Sequence, residues 1–380
     1  MTDLRALLES HVADGTVPGA VALVARGDDI EVAAVGSVDV EGTAPMTRDS
    51  IFRLASITKP IVSAAALMLV EDGTFALTDP IARWLPELAA PNVVRTPRSP
   101  VGDVVPANRP ITVLDVLTSR MGWGFPSDFS LPAVQPLFEE VQADGRNPQH
   151  FPPTGEWLAK LARIPMLYQP GEAWLYNTSY DVLGVLLARA SGKSLADLLA
   201  ERIFEPLGMT DSGFVVPEAQ RGRFTSYYRA EDGELELADT PDGQWSTMPA
   251  FLSGAGGLAG TVDDWYRFAR MLLAEGTVDG RRLLSAESVR QMLTNQLEPA
   301  DREGAALFLE GHGWGFGGSV DIAETEPGNV VGRYGWVGGT GTSAHLVPGT
   351  GTVSILFTQV GVASPTPDKI LRDFWAYAAR

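Results

Sequence analysis

The chain has 380 residues, 45% of them hydrophobic, a formal net charge of −18 and no cysteine. That length and apolar content are enough for a large core, more readily in two structural lobes than in one. The charge argues against nucleic acid and anionic membranes as partners, since phosphate binding needs clustered Lys and Arg, and the missing cysteines exclude disulfides, zinc-thiolate sites and a thiol nucleophile.

The opening Met1-Thr2-Asp3-Leu4-Arg5 runs straight into an amphipathic helix pattern with no basic n-region or apolar h-region, and no stretch reaches about 18 uncharged apolar residues. A cytoplasmic protein without membrane contact is the expectation. Residues 19–26 and 30–35 are short β-like runs separated by Gly27-Asp28-Asp29, a hairpin signal. Residues 63–70, rich in Ala, Leu, Met and Val, form a helix body that stops at Glu71-Asp72-Gly73. Residues 79–88 are predicted helical, 91–110 a long loop, 111–117 the start of a helix, and 127–153 a second irregular, proline-spotted stretch. Loops of this length in a compact enzyme often wall a binding site. Apolar periodicity then marks helices at 157–164, 182–190, 195–203 and 263–273. Residues 343–347 and 352–360 make a second hairpin across Pro348-Gly349-Thr350-Gly351, and 368–379 is a closing helix. The predicted class is α/β, in the α+β sense. One antiparallel sheet from both chain ends (1–80 and 275–380) is flanked by helices, and a mainly helical lobe (81–274) is inserted between.

The chemistry concentrates at Ser56-Ile57-Thr58-Lys59, where a hydroxyl and an amine stand three residues apart at the start of a helix. Pro60 fits the first helical turn, where its missing N–H has no intrahelical partner anyway. Residues at that spacing share a face, so Lys59, one of only four lysines, can reach Ser56 Oγ. The free amides and positive dipole end favour an oxyanion there. To act as a base, Lys59 must have its ordinary pKa lowered by burial or a neighbour.

A second block, Trp174-Leu175-Tyr176-Asn177-Thr178-Ser179-Tyr180-Asp181-Val182-Leu183-Gly184, sets two tyrosines and an asparagine before a helix. A third, Tyr334-Gly335-Trp336-Val337-Gly338-Gly339-Thr340-Gly341, is glycine-rich just before a strand, so backbone can approach a ligand closely. No G-x-S-x-G elbow is present to recruit His312 or His345, the few histidines do not cluster as metal ligands, and no phosphate-loop pattern occurs. No metal or other cofactor is implied.

In this order and spacing the three blocks resemble the serine β-lactamase-like hydrolases: class C β-lactamases, D-Ala-D-Ala carboxypeptidases and family VIII carboxylesterases. The resemblance extends to Phe52-Arg53-Leu54-Ala55, Pro206-Leu207-Gly208-Met209 and Gly254-Ala255-Gly256-Gly257-Leu258, and so covers nearly the whole chain. It implies Ser56 as acylated nucleophile, Lys59 as its proton acceptor, Tyr176 as the second proton-transfer group, and the Ser56 and Gly339 amides as oxyanion hole. Tyr176 acts as a phenol that shuttles a proton or as a phenolate stabilised by Lys59, and Tyr180 is the competing tyrosine.

Two departures bear on substrate. Where many members have Tyr-x-Asn, Asn177 here follows Tyr176 directly and Thr178 takes the third place. Where penicillin-recognising members have a cation in the third block, this chain has Trp336-Val337-Gly338, and Trp carries no charge for a substrate carboxylate. The Tyr-x-x-x-x-Asp-Val-Leu-Gly spacing and the Trp-x-Gly-Gly block resemble the esterase branch. A small carboxylic ester is therefore the expected substrate, with Trp336, Gly338, Asn177, Thr178, Trp123, Phe125 and Trp314 as candidate contacts. The alternatives are an acyltransferase on the same site, a penicillin-interactive hydrolase, and a non-catalytic acylatable sensor.

Overall fold

In the computed structural model, which describes residues 3–142, 147–231, 233–325 and 328–380, the amphipathic start folds as helix α1 (Leu4–Ala13), with the Asp3 carboxylate accepting the Ala6 N–H at its N-cap. The hairpin that follows forms as expected from β1 (Gly19–Arg26) and β2 (Asp29–Gly36). Next come α2 (Thr58–Glu71), α3 (Thr178–Ser191) and α4 (Val262–Leu273). Two two-residue strands, β3 (Gly313–Trp314) and β4 (Ser319–Val320), then lead into β5 (Tyr334–Gly338), β6 (Thr342–Val347), β7 (Thr352–Thr358) and the closing helix α5 (Lys369–Ala378).

The seven strands form one sheet in the order β3-β4-β5-β6-β7-β1-β2, with every neighbouring pair antiparallel. The chain ends meet inside it, where β1 pairs with β7 and Val21 lies opposite Phe357. β1 is buried from Gly19 to Ala25 because both its faces are covered, which is why it reads as an unbroken apolar run. Ala20, Ala22 and Val24 pack with Leu4, Leu8, Leu371 and Phe374 of the terminal helices. Val21, Leu23 and Ala25 join the main core, which continues through Ile61 and Leu67 of α2 to Trp157 and Trp265. α2 lies inside that core, with every residue from Thr58 to Leu69 buried, the setting expected of a helix that is apolar all round.

Residues 79–88 are not a helix but two 3₁₀ turns, Ile81–Arg83 and Pro86–Leu88, with Leu85 pushed to φ −121°, ψ 66° by the proline after it. The irregular stretch at 127–153 contains a short helix, Gln135–Glu139, and a 3₁₀ turn, Pro148–His150, while 143–146 lie outside the described residues. A partly exposed two-stranded ribbon, Tyr227–Glu231 with Glu234–Asp239, was not expected from the sequence. Among the described residues, no helix is long and apolar enough to cross a membrane.

Candidate active site

Phe52 and Arg53 pair with Gly260 and Ala259, and the Leu54 N–H donates to Leu258 O at 2.9 Å, so the chain arrives at α2 already fixed. Ala55 then turns with φ +46°, an uncommon conformation for a residue with a β-carbon and one found at over-determined functional turns. The constraint comes from the sheet: the Thr340 and Thr342 hydroxyls donate to Arg53 O and Leu54 O at 2.6 and 2.9 Å. Gly338 is required here, because a β-carbon at that position would lie 2.5 Å from Leu54 O and 2.1 Å from Thr342 Oγ1. The end of β5 therefore runs against the turn that presents Ser56, and Gly339 follows it with open space where a β-carbon would project.

Lys59 has no solvent exposure, and its Nζ donates to Ser56 Oγ, Asn177 Oδ1 and Ala255 O, each at 2.8 Å. All three acceptors are uncharged. Burial pushes the amine down to about 7, against the opposing pull of the Asp181 carboxylate. Asp181 is also fully buried. Burial pushes its carboxyl up to about 6, while hydrogen bonds from Ser253, the charge of Lys59 and the Ala255 N–H oppose the rise. Tyr176 donates its phenol hydrogen to Ser56 Oγ at 2.8 Å and accepts the Trp336 indole N–H at 2.8 Å. Its ring is clamped between Phe308, 4.6 Å away and nearly parallel, and Trp336 at 5.8 Å. Burial raises the Tyr176 phenol above its ordinary value, with the contacts to Ser56 and Trp336 working the other way, so it is a neutral phenol near pH 7.

The structure thus brings Ser56, Lys59, Tyr176, Asn177, Trp336 and Gly338 together, with Gly339 following directly, and places Trp123, Phe125, Thr178 and Trp314 behind them. Asn177, at φ +75°, turns its amide oxygen onto Lys59 and so orients the amine. Thr178 is wholly buried at the start of α3. Trp123 donates its indole N–H to Ile164 O at 2.8 Å and packs in the core. The Phe125 main chain pairs with that of Tyr176 (3.0 and 2.9 Å), while its ring packs on Phe138, so it supports the tyrosine from behind. Trp314 donates to the Tyr180 hydroxyl at 3.0 Å and stands edge-on to Trp336 at 4.8 Å, a second layer beneath the site. Tyr180 donates to Leu117 O, which removes it as a rival to Tyr176. Beside the nucleophile turn, Ala55, Gly256, Thr340, Tyr227, Arg229 and Trp245 border a small recess. The sequence did not mark Tyr227, Arg229, Trp245, Ser253 or Phe308; Ala55, Gly256, Thr340, Asp181 and Ala255 stood inside recognised blocks without a role. Among the described residues, no group of three or more His, Cys, Asp or Glu is placed to hold a metal ion.

The arrangement has the parts for acyl transfer: a hydroxyl, a buried amine with lowered proton affinity, a neutral phenol and a glycine turn with approachable backbone. Comparison with known proteins agrees. The family model described as Beta-lactamase matches residues 4–374. The chain belongs to the β-lactamase family. It is 36% identical over 354 residues to Protein Rv1367c of Mycobacterium tuberculosis, covering 91% of this chain and 86% of that protein. It is 32% identical over 334 residues to Esterase EstB of Burkholderia gladioli, covering 83% of this chain and 78% of EstB. Among solved structures it superposes on EstCE1, described as a hydrolase with promiscuous acyltransferase activity, with a TM-score of 0.81 at 21% identity, covering 98% of this chain and 97% of EstCE1. As a member of this family the chain is an enzyme, a serine hydrolase or acyltransferase.

Proposed function

We propose that this family member is a carboxylesterase that works through an acyl-enzyme on Ser56. The observation that carries the reading is the position of Ser56 Oγ, 2.8 Å from both Lys59 Nζ and the Tyr176 hydroxyl, with Trp336 on the phenol. With the amine lowered to about 7, a large share of Lys59 is neutral at physiological pH and can accept a proton. The Ser56 O–H breaks as its proton passes to Nζ, and Oγ bonds to the ester carbonyl carbon. The Ser56 and Gly339 amides hold the oxyanion. As the C–O bond to the alcohol breaks, Tyr176 gives its proton to the leaving oxygen and is resupplied from Lys59. Water then repeats the sequence on the acyl-enzyme and releases the acid.

Two observations favour an ester over a β-lactam. Trp336 is committed to the phenol and carries no charge for a carboxylate, and 32% identity ties the chain to proteins named esterases, EstB and Lovastatin esterase of Penicillium rubens. A second reading is acyl transfer to an alcohol that outcompetes water. It is supported by 28% identity to Acyltransferase calJ of Penicillium decumbens and needs no change in the proton transfers above.

Hydrolysis of p-nitrophenyl butyrate and of a chromogenic cephalosporin, measured side by side, tests the proposal. The expected result is ester turnover well above lactam turnover, lost by about 10³-fold or more in Ser56→Ala. Preferred lactam cleavage overturns the substrate reading, and ester turnover surviving in Ser56→Ala overturns the nucleophile.

A further inference from the structure

Asp181 lies in the first turns of α3, fully buried, and no role has yet been given to it. Its Oδ1 accepts the Ser253 hydroxyl at 2.6 Å and the Ala255 N–H at 3.2 Å. The carbonyl of that same Ala255 accepts from Lys59 Nζ at 2.8 Å. One residue of backbone thus bridges the carboxyl to the amine. The bridge is held rigidly: the Gly256 N–H donates to Ser253 Oγ at 3.1 Å, and a β-carbon at Gly254 would lie 2.3 Å from Tyr180 O, so the turn at 253–256 lies directly on α3. The second carboxyl oxygen of Asp181 is buried with no hydrogen-bond partner among the described residues.

A carboxyl left half-satisfied in such a place is costly. As a clamp for the turn it is more than is needed, because an asparagine side-chain oxygen would accept from Ser253 and Ala255 equally well. What only a carboxylate adds is negative charge, and Lys59 is the buried amine it acts on. The other titratable groups facing Nζ are the Tyr176 and Tyr180 phenols, with ring centroids at 4.8 and 5.8 Å, both kept neutral by burial.

We propose that Asp181 is a positioning residue for the proton transfer, fixing Lys59 through Ala255 and supplying the counter-charge for the ammonium that forms when Ser56 is deprotonated. In the resting enzyme above neutral pH the carboxylate faces a neutral amine. When the Ser56 proton moves to Nζ, a cation appears beside an anion already in place. The attraction is therefore stronger in the transition state than before it, the condition for raising kcat. Removing the charge makes Lys59 a weaker base and should also move its titration to lower pH.

The inference rests on Lys59 being the base, and the experiment separates the two. kcat/KM for p-nitrophenyl butyrate is measured from pH 5 to 9 for the wild type, Asp181→Asn, Ser253→Ala and Lys59→Met. In Asp181→Asn the plateau is expected to fall by about tenfold and the acid limb to move down by about half a pH unit or more. Ser253→Ala, which weakens the ionised form of Asp181, should move the limb the same way by less. An acid limb unmoved in Asp181→Asn overturns the proposal whether or not the plateau falls, because a merely structural lesion lowers rate without retuning the base. If Asp181→Asn does not fold, the limb of Ser253→Ala decides in the same two ways. Wild-type acylation in Lys59→Met would instead sink the base assignment on which the inference stands.

Discussion

Two buried cations stand six residues apart in this chain, and they are treated in opposite ways. Arg53 is 3% exposed; its Nε and Nη2 both donate to Asp239 Oδ2 at 2.9 and 2.5 Å, and Thr225 O and Thr240 O take further bonds at 2.6 and 3.0 Å. The Phe224 ring lies 4.1 Å from its guanidinium carbon. Lys59 touches only uncharged acceptors and keeps its carboxylate one residue of backbone away. Burial lowers the proton affinity of both groups, but the guanidinium starts so high, and is so directly paired, that it stays charged. The amine ends near neutrality. A buried cation with a direct counter-ion is a fastener; one whose counter-ion is held back can lose and regain a proton.

The comparison breaks most sharply at Lys59. Lys59→Met should lower ester turnover by about 10³-fold or more while leaving the folding free energy within about 1 kcal/mol of the wild type at pH 8. Two effects oppose each other there: loss of the amine's hydrogen bonds to Asn177 and Ala255 costs stability, and relief from burying an ionisable amine returns it. The balance depends on pH in a defined direction. With Lys59 lowered to about 7 when folded and near 10.5 when unfolded, the unfolded chain binds the extra proton between those values. Wild-type stability therefore falls as pH drops through that window, and Lys59→Met should gain on it. Urea midpoints at pH 7 and pH 9.5 measure the difference, and a variant that loses ground as pH falls would contradict the assigned direction.

Arg53→Met is the opposite case. It strands the buried Asp239 carboxylate with only the Gln244 N–H on its other oxygen, so a loss of about 3–5 kcal/mol is expected, read as a lower urea midpoint. Any activity left in the folded fraction should keep the wild-type pH profile, since Arg53 does not contact Ser56. A neutral midpoint would mean that the pair is not a fastener.

These two sites also differ in how far the sequence disclosed them. Ser56 and Lys59 were legible because they act through a local spacing that a helix converts into contact. Arg53 and Asp239, 186 residues apart, and Asp181 and Ala255, 74 apart, meet only through the fold, and no periodicity reports such a meeting. The sheet at the chain ends was legible because long apolar runs flanked clear turn residues. The strands Gly313–Trp314 and Ser319–Val320 are too short to make a pattern, and the ribbon ending at Asp239 is too polar, with Leu237 55% exposed. Side-chain direction was the least legible property. Trp123, Phe125 and Trp314 lie in glycine-rich segments as a pocket wall would, yet their contacts place them in the core behind the site. Asn177 reaches Lys59 only because its own backbone takes a positive φ.

The smallest expected effect is the most selective. The Trp336 N–H on the Tyr176 oxygen stabilises negative charge there, so Trp336→Phe should make the phenol a weaker acid. The change matters in proportion to how much protonation the departing alcohol needs. A p-nitrophenolate leaves unaided, whereas an alkyl alkoxide does not. kcat/KM should therefore change by no more than about twofold for p-nitrophenyl butyrate and fall about five- to tenfold for an alkyl butyrate, the share of transition-state energy that one neutral hydrogen bond carries. Equal losses on the two esters would show that Tyr176 acts on Ser56 rather than on the leaving group. In that case it would belong with Lys59 on the proton-accepting side of the site, and Trp336 would tune the nucleophile instead of the acid.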